Sequence, residues 1–269
     1  MDEHQLVEEI RAQTKRANRN NLTRTKAYLA FYKEHPEIHW AYMAHFVSRN
    51  TGWNMTDLQG EMLPRLISRE KREIFFSFLE RNNWLIFQDA YPQLLLYAAS
   101  KKYKKPLFHL LPQFGVSLFM QLNWALFWRT NHKKLLAYAQ IINEQQHIQT
   151  HVMGQAFYQE EVLDTLLFWL QSSLGINYLF FPFYDPKRKE IRLAGTVVKH
   201  FKQVDERIRV GKRVYTLLFK QAYLRDKLYE WALSREHTGS RADYWPHLFT
   251  KKRPKANREY AFHLAGSRL

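Results

Sequence analysis

Apolar positions recur at spacings of three and four along most of the chain, a pattern that predicts helices joined by short polar breaks. Leu6, Val7, Ile10 and Ala17 form the first stripe. Acidic residues early in it (Asp2, Glu3) and basic ones late (Lys15, Arg16) suit the helix dipole. A second helix is expected over Leu22–Glu34, and a third from Pro36, in the favoured first helical position, to Arg49. Asn50-Thr51-Gly52 reads as a break, and Thr56-Asp57-Leu58-Gln59 as a capping box opening the next helix. Further helical periodicity covers 69–88 and 92–103.

The uncharged run Leu107–Trp128 reaches membrane-spanning length, but Pro112, Gly115, Gln121 and Asn123 interrupt it. Two shorter elements are expected there, and no transmembrane segment. Helices follow over Lys134–His151 and Glu160–Ser172. Ile176–Phe183 and Ile191–Val198 are β-prone and flank Tyr184-Asp185-Pro186, which predicts a small hairpin within 176–198. Val214, Leu217, Gln221, Leu224, Leu228 and Trp231 predict one long helix over Lys212–Arg235, with Gln221 as a polar intrusion. The fold class is therefore all-α: a single compact domain of about ten helices over 1–250, followed by a basic, loosely ordered tail over 251–269.

Composition narrows the chemistry. The chain has no Cys, which excludes disulfides, thiolate nucleophiles and sulfur-bound zinc and fits a reducing compartment. The N-terminus is acidic where a secretory signal would be basic, so a cytoplasmic location is expected. A formal charge of +16 on 269 residues points to an anionic partner, nucleic acid before an anionic membrane surface. Residues 135–183 carry no Lys or Arg, so the charge belongs to an outer layer around a non-basic centre.

Three groups of residues carry candidate chemistry. Lys199, Lys202, Arg207, Arg209, Lys212 and Arg213 form a basic run suited to phosphate contacts. Two polar segments are denser in hydrogen-bonding groups than a connection requires: His45, Arg49, Asn50, Asn54 and Asp57 around one turn, and His237, Ser240, Arg241 and Asp243 in a later loop. If these met, guanidinium and amide groups would hold a small phosphorylated or carboxylated substrate, with His237 and Asp243 as a proton-transfer pair. Packing, capping and ion-pairing account for the same residues without a ligand. Glu144, His147 and His151 share a helix face, with Glu161 and Asp164 facing them across an expected return. A divalent metal is the lesser reading there, since a dimetal bundle needs a second Glu-x-x-His. No other cofactor is expected. No Walker loop, dinucleotide fingerprint, zinc-protease helix or nucleophile elbow occurs.

The strings HPEIHWAYMAHFVSRNTGWNMTDLQG, NYLFFPFYDP, HFKQVDERIRVGKRVY and HTGSRADYWPHLF resemble the YppC-like family of Firmicute proteins, a family of unknown function. The resemblance runs from about residue 24 to about 250 and implies a bacterial cytosolic protein. It implies no activity, cofactor or catalytic residue. A basic helical binding protein is the leading expectation, and an enzyme whose pocket lies between the 49–57 turn and the 237–243 loop is the alternative.

Overall fold

The computed structural model describes residues 2–60, 63–158, 160 and 178–249. Among them the helices run α1 Glu3–Ala17, α2 Asn21–Glu34, α3 His39–Asp57, α4 Leu63–Leu66, α5 Arg69–Tyr103, α6 Leu118–Thr130, α7 Lys133–Ile148, α8 Ala156–Tyr158, α9 Val204–Lys220 and α10 Ala222–Ser234. A 3-10 segment, Phe108–Phe114, precedes α6, and a π-turn, Gln149–Met153, extends α7. Strands β1 (Tyr178–Asp185) and β2 (Glu190–Val197) pair antiparallel, Tyr178 opposite Val197 and Asp185 opposite Glu190. The architecture is all-α with one small hairpin. The predicted Glu160–Ser172 helix beyond its first residue, the rest of 161–177, and the tail from Lys251 lie outside the described residues.

Local signals set most boundaries. Asp2 caps α1 through its carboxylate, and Asn20 and Thr23 form a reciprocal capping box on α2. Ser68 and Ser117 cap α5 and α6, and Lys104, Gly115 and Asn131 take left-handed backbone where elements end. The Leu107–Trp128 run divides at Gly115 as expected, and among the described residues no helix is long and apolar enough to cross a membrane.

Three boundaries differ from the sequence reading. Helix α3 does not break at Asn50-Thr51-Gly52 but continues to Asp57, so Thr56 sits in its last turn and opens no helix. Gly52 is needed for close approach: a Cβ there would run into Asn21 Oδ1 and His237 Nε2. The segments 69–88 and 92–103 are one helix with Pro92 inside it. Loss of one helical hydrogen bond at Pro92 is offset by burial of Phe87, Tyr91 and Leu94. Conversely, the single helix expected over Lys212–Arg235 is two, because Gln221 takes extended backbone between α9 and α10.

The main core gathers Tyr28, Trp40, Phe46, Phe87, Leu94 and Trp124 from α2, α3, α5 and α6, packed by α7 and α9. Inside it, Gln93 Oε1 accepts from Trp124 Nε1 and Gln140 Nε2, each at 2.8 Å, tying α5 to α6 and α7. A second core joins Met55 and Leu58 to Phe75, Phe78 and Val152. A third, small cluster of Trp53, Trp231 and Tyr244 lies where the chain end meets α3.

Candidate functional site

The two polar segments meet. Extending α3 through Gly52 puts Arg49, Trp53, Asn54 and Asp57 on faces that the loop after α10 covers. Asp243, held in a 3-10 turn that Ser240 caps, accepts from Trp53 Nε1 at 3.0 Å and from Thr238 Oγ1 at 2.6 Å. Arg49 Nη2 lies 3.5 Å from the same carboxylate and donates to the carbonyls of Arg235 and Glu236 at 2.8 and 2.9 Å. Its guanidinium stacks 4.2 Å above the Trp231 ring. Arg241 pairs with Asp57, with Tyr244 Oη, and with Asn54 Oδ1 at 2.8 Å.

His237 places its two ring nitrogens against Asn21 Oδ1 at 2.9 Å and Asp243 Oδ2 at 3.3 Å. Burial lowers this imidazole to about 4; Asp243 opposes the shift and Arg49 reinforces it. Burial would raise the Asp243 carboxyl, yet hydrogen bonds from His237 and Thr238 and the charge of Arg49 hold it below the usual range. His45 bonds the carbonyl of Thr25 through Nδ1 at 2.9 Å, and burial beside Arg49 lowers it to about 3. Asn50 leaves this junction for the hairpin. Its amide donates to Phe180 O at 2.6 Å and accepts from Phe180 N at 2.8 Å, pairing with β1 as another strand would.

This junction is closed. The side chains of Arg49 and Asp243 are each 1% exposed, and His45, Asn54, Ser240 and Arg241 are buried. Its charges meet one another instead of opening onto a cleft, which makes it a latch joining the chain's last described turn to α2 and α3. Asn21, which the sequence reading left out of the site, takes part with Ser48 of the same polar turn: Asn21 Nδ2 donates to Ser48 O at 2.7 Å. No local signal marks Asn21, since it sits at the start of α2, far along the chain from Gly52.

The basic run divides into two roles. Lys199, His200, Arg209, Lys212, Arg213 and Lys220 line a groove of about 840 Å3 along α9, with Tyr138 of α7 in its wall. Lys134 and Lys212 each set Nζ 5.3 Å from the Tyr138 ring centroid. The one carboxylate in the lining, Glu206, pairs with Arg213 and with Arg209, the latter at 3.1 Å. Lys202 is exposed but outside the groove lining. Arg207 is not a surface cation, as its place in the run suggested. It is buried, donating to Gln145 Oε1 at 2.9 Å, Gln149 Oε1 at 2.8 Å and the carbonyls of Phe201 and Lys202 at 2.7 and 3.1 Å. Alternation along α9 turns position 207 inward with Val210 and Val214, and position 209 outward. His200, Lys220 and Tyr138 were missed because the groove forms between α7 and the two ends of α9.

Glu144, His147 and His151 do not converge as a ligand set. The rings of His147 and His151 lie 4.4 Å apart between centroids, and burial, with His151, lowers His147 to about 4. The Glu144 carboxyl instead takes a hydrogen bond from Trp40, and burial drives it well above the usual range. Among the described residues no three His, Asp or Glu side chains are grouped to hold a metal ion. Glu161 and Asp164 lie outside those residues.

A family model described as "Protein of unknown function (DUF2515)" matches residues 16–266. The chain is 46% identical over 243 residues to "Uncharacterized protein YppC" of Bacillus subtilis (strain 168), covering 88% of this chain and 72% of that protein. No solved structure matches. With the family model covering nearly the whole chain and the four quoted strings inside it, the protein belongs to the DUF2515 family.

Proposed function

We propose that this protein binds nucleic acid through the groove along α9. The observation that carries this reading is the groove's lining: five Lys or Arg side chains and His200 around one internally paired carboxylate, with an aromatic ring between them. Such a surface contacts phosphates without reading sequence, and an aromatic wall gives a base a face to stack on. The enzyme reading is weaker on present geometry, because the guanidinium groups of Arg49 and Arg241 are enclosed and already engaged.

Fluorescence anisotropy with labelled single-stranded DNA, RNA and duplex DNA at low salt tests the reading. Binding is expected, weakening with salt at a log–log slope of about 0.9 per neutralised phosphate on duplex. Absence of binding to all three at low salt would reject it. Binding to vesicles of phosphatidylglycerol but to none of the oligonucleotides would reassign the groove to a lipid surface.

A further inference from the structure

Helices α3, α5, α7 and α9 and the hairpin line a half-open cavity of about 220 Å3 on the side of α9 away from the groove. Most of its wall is apolar, including Met43, Val47, Phe78, Ile141, Leu179 and Val214. Ser48, Thr51, Asn54, Gln145 and the engaged Arg207 also reach the wall, and two of its polar groups, Glu144 and Asn82, hold buried acceptors without partners among the described residues. Glu144 stands in the wall, and its Oε1 is screened from solvent and, among the described residues, without a hydrogen-bond partner. Asn82 stands in the same wall, and its Oδ1 is likewise buried and unpartnered.

The Asn82 amide cannot be turned to relieve this. Its Nδ2 donates to Phe78 O at 3.0 Å, and exchanging nitrogen and oxygen would set two acceptors together. Trp40 serves the Glu144 carboxyl but leaves Oε1 open. Leaving a buried acceptor without a donor is costly, and two in one cavity wall mark it as built for a polar visitor and not as a packing defect. Asp89 and burial both favour the neutral carboxyl, which donates as well as accepts. A hydroxyl head, which also does both, meets Glu144 in either protonation state and supplies the donor that Asn82 Oδ1 lacks, whereas an amine, protonated near neutral pH, only donates.

Size sets the rest of the molecule. A protein cavity of about 150 Å3 accommodates benzene, so this one suits a single ring or a short branched chain with a small head. We infer that the cavity is a binding site for a small, mostly apolar alcohol, its head at Glu144 and Asn82 and its body among Met43, Val47, Ile141 and Val214. The site does not depend on the groove, and its test is independent of any nucleic-acid measurement. Water is the rival occupant, since it too satisfies buried acceptors.

Toluene, benzyl alcohol and benzylamine share one ring and differ in the head, so calorimetric titration of the full chain with each separates the readings. Benzyl alcohol is expected to bind about tenfold tighter than toluene, the worth of one good neutral hydrogen bond, and tighter than benzylamine, which enters as a charged ammonium. Glu144→Leu should abolish that preference. Ala44→Leu, which pushes a larger side chain into the cavity wall, should abolish binding of all three probes. Should Glu144→Leu fail to fold, the wild-type head preference and Ala44→Leu decide the matter alone. Saturable binding by none of the three would assign the cavity to water. Equal affinity for toluene and benzyl alcohol, or full binding retained in Ala44→Leu, would overturn the inference as well.

Discussion

Trp53 Nε1 donates to Asp243 Oδ2 across 3.0 Å, joining residues 190 positions apart. Around that bond Arg49, His237 and Thr238 share the same carboxylate, so Asp243 is the keystone of the latch. Asp243→Ala strands the Arg49 guanidinium in the interior and should cost about 3 kcal/mol or more in urea denaturation. Asp243→Asn, which keeps the shape, should cost less. A loss below about 1 kcal/mol for the alanine variant would show that the latch does not hold the fold.

Gly52→Ala should destabilise by about 2 kcal/mol, as overpacking against a rigid neighbour does. The added methyl displaces Asn21 and His237, both fixed by other hydrogen bonds. Gly60→Ala, where an added Cβ meets only ordinary contacts at 3.4 Å and beyond, is the control and should stay within about 0.5 kcal/mol in the same melts.

Asn50→Asp tests the clasp on the hairpin. A carboxylate offers no donor to Phe180 O and turns repulsive toward it, so a loss of about 2 kcal/mol is expected. Because only one strand is held this way, hydrogen exchange at Phe180 should accelerate more than exchange in α1. Equal acceleration at both places would mean the clasp is not local.

Stability should fall as the pH drops from about 6.5. Burial, with Arg49, lowers His45 to about 3, and burial, with Lys133 and Arg225, lowers His39 to about 4. Between these values and the unfolded value near 6.5 the unfolded chain binds protons that the folded chain does not. Their contribution is therefore complete above about pH 6.5 and is lost progressively below it. His45 takes away about 2 kcal/mol by about pH 5, and the half-buried His39, partly screened by solvent, takes away less. Urea midpoints across this range should give a shallower pH slope for His45→Gln than for the wild type, and parallel slopes would contradict the assignment.

Arg207 and Lys212 separate structure from binding. Arg207→Met leaves two glutamine side chains and two carbonyls without their donor and should lower the melting temperature. Lys212→Glu combined with Lys220→Glu should leave melting nearly unchanged and weaken oligonucleotide binding by about tenfold or more at low salt. The reverse pattern would move the interface elsewhere.

The sequence by itself determined where period and local turn chemistry are strongest: α1, α2, the division of the Leu107–Trp128 run at Gly115, and the existence of the hairpin, though its turn falls after Asp185 and not at Tyr184-Asp185-Pro186. These depend on neighbours a few residues apart, which is the range that periodicity and turn chemistry report. It also pointed to the two polar segments of the latch, because Arg49, Asn50, Asn54, Arg241 and Asp243 are more polar than a helix and a connection need. Tertiary structure decided what those residues are for. Gly52 and Gln221 show why: the first reads locally as a breaker yet lies inside α3, its missing side chain leaving room for Asn21 and His237, and the second fits a helical stripe yet ends one. The same long-range packing turned Arg207 inward, closed the junction over its charges, and left Glu144 and Asn82 facing one cavity. No spacing along the chain records that, since the partners come from α3, α5, α7 and α9.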